Sequence, residues 1–496
     1  MPDKGGRWKK RSLVLVAVGG VLLLGVTAVF CSVGWLIYRV ESGEIVRGTD
    51  YGAKLNELAL HAQPDDPDAW GDLLDIGEDI SNSTITFDPG DFVPRDVFDE
   101  GEPDLARLSM RLPDSERDDA RELKFLRDLD EAGMFDRLVE ASAKPSLRIP
   151  FPDGETLPLS YFPRELSVVS RAAAFLPYRM YWLAEESRTD EIPEIVKASL
   201  DLAEALSRNP SLNAYTAAQD VTLKTLRTLN HVLRRYDLDE QTYLDLMILV
   251  NEWEGLASPD LALEGLRLAT RDLIQSTHTD LGGGGYLDLE VFYEVTRGRK
   301  KDLSRFGRIR GALTTAPREE TVSRLDEIIG KWKSLENIRA DAHQRLLSAS
   351  ESSDLRSSVF DLDEHRHIFF DAFPWMTRPV KQNRVIETDR LGTLVLLAVK
   401  AHRIRHGDVP EALDDLVPEF LDDVPVAPVS GMPFHYRRLV DDAYGRAYVL
   451  YSAGLNGSDD GGVGSIMQRM PDPLVVDYLD REVDYIINVI GRSPDD

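Results

Sequence analysis

The sequence predicts a mainly α protein with an N-terminal transmembrane helix, an irregular antiparallel helical array and a small C-terminal α+β module that carries an antiparallel hairpin. Three observations predict it. An apolar run extends from Leu13 to Ile37 behind the basic residues Lys4, Arg7, Lys9, Lys10 and Arg11. From Leu166 onward apolar residues recur at three- and four-residue spacing, the period of one helix face. Near the C-terminus Phe434, Tyr436 and Val440 precede a turn that Tyr448, Leu450 and Tyr451 follow, the pattern of a hairpin.

The first element is the apolar run. Its 25 residues span about 37 Å at helical rise, enough for a hydrocarbon core of about 30 Å. Five basic residues precede it against one acid, Asp3, while Arg39, Glu41, Glu44, Arg47 and Asp50 beyond it give no basic excess. Basic flanks stay on the cytoplasmic side, so the reading is a single-pass signal anchor in a bacterial cytoplasmic membrane, N-terminus inside and bulk extracytoplasmic. Trp35 and Tyr38 suit the far interface. A cleaved signal peptide is the alternative, with a shorter apolar core ending in a small-x-small site. Cys31 raises a lipidated N-terminus, but Phe30 stands where a small residue would precede the cysteine.

Composition bounds the remainder. The chain holds 58 basic and 86 acidic residues; beyond residue 38 the balance is 53 against 85, a net charge of −32. Such a surface repels phosphates and excludes a nucleic-acid role as the leading reading. The one cysteine, Cys31, falls inside the apolar run, so residues 39–496 have no disulfide, cysteine zinc site or thiol nucleophile. Stability must then come from hydrophobic cores, which a chain of this length can build.

The following elements divide the chain as a basic tail (1–11), the span (12–38), a membrane-proximal helical and Pro/Asp-rich region (39–163), the array (164–350), a connecting segment (351–384) and the α+β module (385–496). Leu55, Leu58 and Leu60, then Leu73, Leu74 and Ile76, read as short helices interrupted by Pro64 and Pro67, a lead-in that lifts the domain off the membrane. Ser81 to Asp118 is rich in Asp, Pro and Ser and reads as irregular. A helical segment runs from near Glu122 to Ala141. Pro145, Pro150, Pro152, Pro158 and Pro163 then forbid a long helix.

Leu166, Val169, Ala173, Leu176 and Met180 make one stripe; Ile195–Leu206, Ala217–Leu233, Tyr243–Trp253 and Leu261–Ile274 make further amphipathic helices. Short connections favour antiparallel neighbours. No fixed period links them, so a regular solenoid is only an analogy. Gly282 to Gly285 is permissive backbone and no phosphate loop, since no Gly-Lys-Ser/Thr follows. A long helix from Glu319 to about Ser348 carries Val322, Leu325, Ile329, Trp332 and Leu335 on a core-facing stripe.

Three places hold residues with chemistry. Asp361, Asp363, Glu364, His365, His367 and Asp371 combine carboxylates and imidazoles that bind divalent metals, although Ile368, Phe369, Phe370 and Phe373 give them a half-buried structural setting as well. His402 and His406 share a helix face, but Arg403 replaces the glutamate of a zinc-protease motif, and Gly407 ends the helix where protonated histidine favours the dipole. The loop Asn456-Gly457-Ser458-Asp459-Asp460-Gly461-Gly462 offers oxygen ligands, with Asn456, Asp459 and Asp460 as candidate calcium ligands. Met467 stands where an EF-hand needs its last glutamate, and turn formation alone also selects these residues. No Gly-x-Ser-x-Gly or Ser-x-x-Lys motif marks a serine nucleophile.

A helix ending His406-Gly407, then Pro410-Glu411-Ala412-Leu413, Leu416-Val417-Pro418, Val424-Pro425, Ser430-Gly431-Met432-Pro433, Tyr436 and Tyr451-Ser452-Ala453-Gly454-Leu455-Asn456-Gly457 resembles the globular part of major type II secretion pseudopilins over about residues 385–465. With the preceding array it also resembles uncharacterised membrane-anchored bacterial proteins. The resemblance implies a helix packed on a small antiparallel sheet, with a calcium loop after the second strand. Ala427 stands before Pro428 where related sequences often carry Asp, the N-terminus lacks a Gly-Phe-Thr prepilin site, and about 350 residues separate the apolar run from this module.

Three functions follow as expectations. The first is a non-catalytic interaction or scaffold protein, with other envelope proteins as partners and no nucleic acid. The second is a metal-dependent hydrolase using the 361–371 segment. The third is a secretion or surface-filament component. Ile486, Ile487, Val489 and Ile490 would add a terminal strand or helix.

Overall fold

A computed structural model describes residues 27–32, 34–35, 37–38, 42–82, 116–152, 154, 164–280, 285–297, 303–335, 378–440, 447–453, 458–459, 461–462 and 485–487. The expected membrane-spanning, single-pass character requires correction: among the described residues no helix is long and apolar enough to cross a membrane. The helical turns within 27–38 cover at most 12 positions, about 18 Å against a hydrocarbon core of about 30 Å. Residues 13–26, 33 and 36 of the apolar run lie outside the described residues. The longest helix among the described residues, Arg378–His406, has 29 residues but carries charges at Arg384, Glu387, Asp389, Arg390, Lys400, Arg403 and Arg405.

The segment read as a stalk is built into the core instead. Helix α1 (Tyr51–Ala62) starts where the Asp50 carboxylate accepts from the Ala53 N–H, and α2 (Trp70–Asn82) follows. Leu55, Leu73 and Ile76 are buried, because each helix has an apolar stripe that would otherwise face water. Gly77 lets α2 lie directly against Val168 of α5 (Arg164–Phe175); a Cβ there would come 2.5 Å from a Val168 methyl. The single helix expected over 122–141 is two, α3 (Glu116–Glu131) and α4 (Met134–Ser142), separated at Gly133, whose φ of 69° breaks the helical path.

Residues 147–151 run extended, and their backbone groups are satisfied by amide side chains. Gln63 accepts from the Leu147 N–H at 2.8 Å and donates to its carbonyl at 3.0 Å. Asn209 accepts from the Ile149 N–H at 2.9 Å and also donates to the Leu147 carbonyl at 2.8 Å. Asn56 takes both groups of Phe151, each at 2.9 Å. Three primary amides thus do for this proline-punctuated stretch what a neighbouring strand would do.

The helical array stands where periodicity puts it. After α5, Pro177 supplies no N–H and the chain tightens into a 3₁₀ turn (Leu176–Tyr178) before α6 (Arg179–Glu185), so the stripe through Met180 is split. Helix α7 (Ile192–Ser207) packs along α8 (Leu212–Arg235), and α8 also packs on α14 (Arg378–His406), which lies against α9 (Glu240–Glu252). Ser211 caps α8 and Asp239 caps α9. Helix α10 (Asp260–Thr277) crosses the α7–α8 connection so closely that a Cβ on Gly265 would sit 1.9 Å from the Pro210 carbonyl oxygen. With α11 (Leu289–Arg297) and α13 (Arg318–Leu335) it encloses a second, smaller core around Leu263, Phe292, Leu325 and Ile328, while α12 (Arg305–Thr314) packs on α11. The remainder of the helix expected to reach Ser348 lies outside the described residues, as do Gly282 to Gly284.

The C-terminal strands are short. β1 (Val426–Ala427) pairs with β2 (Met432–Pro433); β3 (His435–Arg438), β4 (Tyr448–Ser452) and β5 (Tyr485–Ile486) form an antiparallel sheet with β4 in the middle. His435 stands opposite Tyr451 and Tyr436 opposite Leu450, the hairpin that the alternating residues predict. All five residues of β4 are buried, and α14 packs on both β1 and β4. Ile487, next to β5, fills the notch left by Gly392 of α14. One apolar cluster runs from Leu55 through α7, α8, α9 and α14 to Ile487.

Candidate functional site

The loop read as a calcium loop meets the sheet through one carboxylate. Asp459 Oδ1 accepts from the Tyr451 hydroxyl and from the Gly461 N–H, both at 2.9 Å, and its Oδ2 lies 3.3 Å from His435 Nδ1. The His435 and Tyr451 rings, cross-strand partners in β3 and β4, stack at 5.1 Å with 14° between their planes. The Gly461 N–H and then the Tyr451 hydroxyl hold the Asp459 carboxyl below its ordinary range, since both stabilise the anion. Gly461 and Gly462 have φ of 78° and 77°, a conformation that glycine adopts without strain. Arg437 donates to the Gly461 carbonyl at 3.1 Å. The arrangement latches the loop onto the sheet. Asn456 and Asp460, the other candidate calcium ligands, lie outside the described residues, and among the described residues no group of three or more His, Cys, Asp or Glu is placed to hold a metal ion.

His402 and His406 are brought together, with ring centroids 4.5 Å apart, but each nitrogen that bonds faces the protein. His402 Nδ1 donates to the Asp408 carbonyl at 3.0 Å and His406 Nε2 meets Glu419 at 2.9 Å. Both rings pack edge-on to Phe420, over which the Arg405 guanidinium also lies. Arg405 reaches Glu240 at the start of α9 and Glu419 at 2.8 Å. These contacts join the C-terminal end of α14 to the segment from Asp408 to Phe420. Asp361 to Asp371 lie outside the described residues.

The strongest chemistry in the interior is one that sequence reasoning missed. Arg179, buried at the start of α6, meets Asp130 of α3 and Asp136 of α4 at 2.9 Å each and stacks over Phe135. Between α8 and α14 a polar seam interrupts the apolar core: Gln219 donates to Asn383 at 2.6 Å, Asn383 to the Tyr215 hydroxyl at 2.7 Å, Gln382 to Asp220 at 3.3 Å, and Arg227 lies 3.6 Å from buried Asp389. Lys400, lowered in pKa by burial, is 3.4 Å from Asp237. Arg390 donates to the Val250 carbonyl in the last turn of α9 at 2.9 Å. Asp272, fully buried on α10, accepts from Gln275 at 2.8 Å and faces Arg47 at 3.6 Å, while Gln275 clasps Thr49 through both its carbonyl and its N–H. The only signal in the sequence is a polar residue on an otherwise apolar stripe, as at Gln219 or Asp272. The partners on other elements lie from 43 to 226 residues away along the chain, beyond what periodicity reads.

A second cluster joins α6 to the end of α8. The Tyr236 hydroxyl donates to Glu185, Arg235 lies 3.8 Å from the same carboxylate, and Tyr181 packs on both Tyr236 and His231. Burial, with Arg234 and Arg235 nearby, lowers His231 to about 3, so its imidazole is neutral throughout the physiological range. No family model matches this chain, and neither curated proteins nor solved structures give a match.

Proposed function

We propose that this protein works by binding, as a helical scaffold that presents rigid surfaces to another protein. The observation that carries the reading is where the interior charge goes. Arg179, Arg227, Lys400 and Arg47 each face a carboxylate on another element, joining α6 to α3 and α4, α8 to α14, α14 to the α8–α9 connection, and the N-terminal segment to α10. Groups committed to joining elements fix their relative positions, which a binding surface requires before it meets a partner. Asp459 is engaged in the same way, holding a loop on the sheet.

The test is direct. Purified full-length protein should give no saturable turnover of model esters, peptides or phosphodiesters with or without added divalent metal. Turnover that disappears in His365→Ala would replace this reading with the metal-dependent hydrolase.

A further inference from the structure

His402 and His406 stand four residues apart in the last turns of α14 and so share one face of the helix. The nitrogen that each ring commits to the protein meets a group that can only accept. For His402 Nδ1 it is the Asp408 carbonyl at 3.0 Å, and for His406 Nε2 the Glu419 carboxylate at 2.9 Å. Each of these nitrogens therefore carries the proton, and in the neutral imidazole the lone pair falls on the other one, His402 Nε2 and His406 Nδ1. Among the described residues neither of those two has a hydrogen-bond partner, and the His406 side chain is 45% exposed. An acceptor behind the ring is how proteins fix the tautomer and orientation of a metal-ligating histidine. Glu419 is itself held in place, its other oxygen accepting from Arg405 at 2.8 Å.

The separation of the rings matches one ion geometry. An imidazole bound through nitrogen places its ring centre about 3.2 Å from the ion. The 4.5 Å between these two centres thus corresponds to an angle of about 90° at an ion shared by both rings. That is the cis angle of a tetragonal ion, whereas a tetrahedral ion would part the centres to about 5.2 Å. Imidazole nitrogen in tetragonal geometry suits Cu²⁺ and Ni²⁺, and not the oxygen-seeking Ca²⁺ or Mg²⁺. Of the neighbouring cations, Arg405 is engaged by Glu240 and Glu419, and Arg403 lies about 100° around the helix from His402. We propose that His402 Nε2 and His406 Nδ1 chelate one tetragonal divalent transition-metal ion, Cu²⁺ or Ni²⁺, at the C-terminal end of α14, with its remaining positions open to solvent. Two protein ligands make an open site, consistent with the absence of any three-residue group among the described residues. The proposal does not depend on the scaffold reading.

Titration calorimetry of the full chain with CuCl₂ and with NiCl₂, after treatment with a chelator, provides the test, read beside the electron paramagnetic resonance spectrum of the Cu²⁺ form. One saturable site should appear, with an axial Cu²⁺ spectrum split by imidazole nitrogen. Its affinity should fall about tenfold or more in His402→Ala and in His406→Ala, and the double variant should lose little beyond either single one, because removing one ring already breaks the chelate. His365→Ala/His367→Ala, which removes the other closely spaced histidine pair, should leave the site unchanged. Circular dichroism confirms folding, and His402→Gln and His406→Gln serve if alanine disturbs it. Absence of a saturable site overturns the proposal. So does binding that survives the His402 and His406 variants, binding lost in the His365/His367 variant, or a Cu²⁺ spectrum without imidazole nitrogen.

Discussion

At the residue scale, the histidines show how burial decides chemistry. His278, at the end of α10, is fully buried, its Nδ1 3.0 Å from the Ile274 carbonyl, and burial lowers its pKa to about 4 although two backbone carbonyls oppose the shift and Arg318 reinforces it. A histidine whose folded pKa lies below the unfolded value of about 6.5 favours folding when neutral. Its contribution is therefore complete above pH 6.5 and falls as pH drops toward 4, by an amount on the order of 3 kcal/mol. Urea unfolding at pH 7.5 and pH 4.5 should show a smaller pH dependence in His278→Gln than in the parent; equal slopes would disprove the assignment. Asp459 gives a second prediction. Asp459→Asn keeps the size but weakens the acceptor shared by Tyr451 and Gly461, and should cost about 1 kcal/mol, read as a lower urea midpoint. The sequence exposes Asp459 as a loop carboxylate in a glycine-rich turn. It does not show that Tyr451 and His435 face it, because that depends on the β3–β4 register and the path of the loop.

At the scale of elements, helix boundaries follow local chemistry, whereas the closeness of two elements follows from what one of them lacks. Pro177 and Gly133 interrupt helices that a periodicity count runs through, since apolar spacing does not register a missing N–H or a positive φ. Gly265 and Gly330 are both glycines within helices, indistinguishable by position in the sequence. A Cβ at Gly265 would strike the Pro210 carbonyl, while nothing lies within 4 Å of one at Gly330. Gly265→Ala should therefore destabilise by about 1–3 kcal/mol or more, and Gly330→Ala should stabilise by about 0.5–1 kcal/mol through helix propensity. Thermal melts of the two variants should move in opposite directions. The same reasoning explains why residues 147–151, read only as a proline-punctuated break, have ordered hydrogen bonding: Asn56, Gln63 and Asn209 are local polar residues in the sequence and backbone partners in the fold.

At the scale of the whole molecule, the main core is continuous from the N-terminal helices to the C-terminal strands, and α14 belongs to the array and to the sheet at once. Hydrogen exchange should reflect this. Amides of α8, packed between α7 and α14, should exchange slowest and those of α12 among the fastest helical amides; comparable protection of the two would contradict the packing. The sequence by itself determined the helical class, most helix positions, the terminal hairpin and the excess of acid, because these depend on propensity, on periods of 3.6 and 2, and on composition. It also offered a membrane span that no described helix supplies and a stalk that is in fact core. Only the tertiary structure decided which carboxylate meets Arg179, that Gln219 and Asn383 join α8 to α14, and that α12 leaves Phe306 exposed. Such pairings join residues far apart in the chain, and chain entropy lets them form only once many weak apolar contacts have already fixed the elements in place.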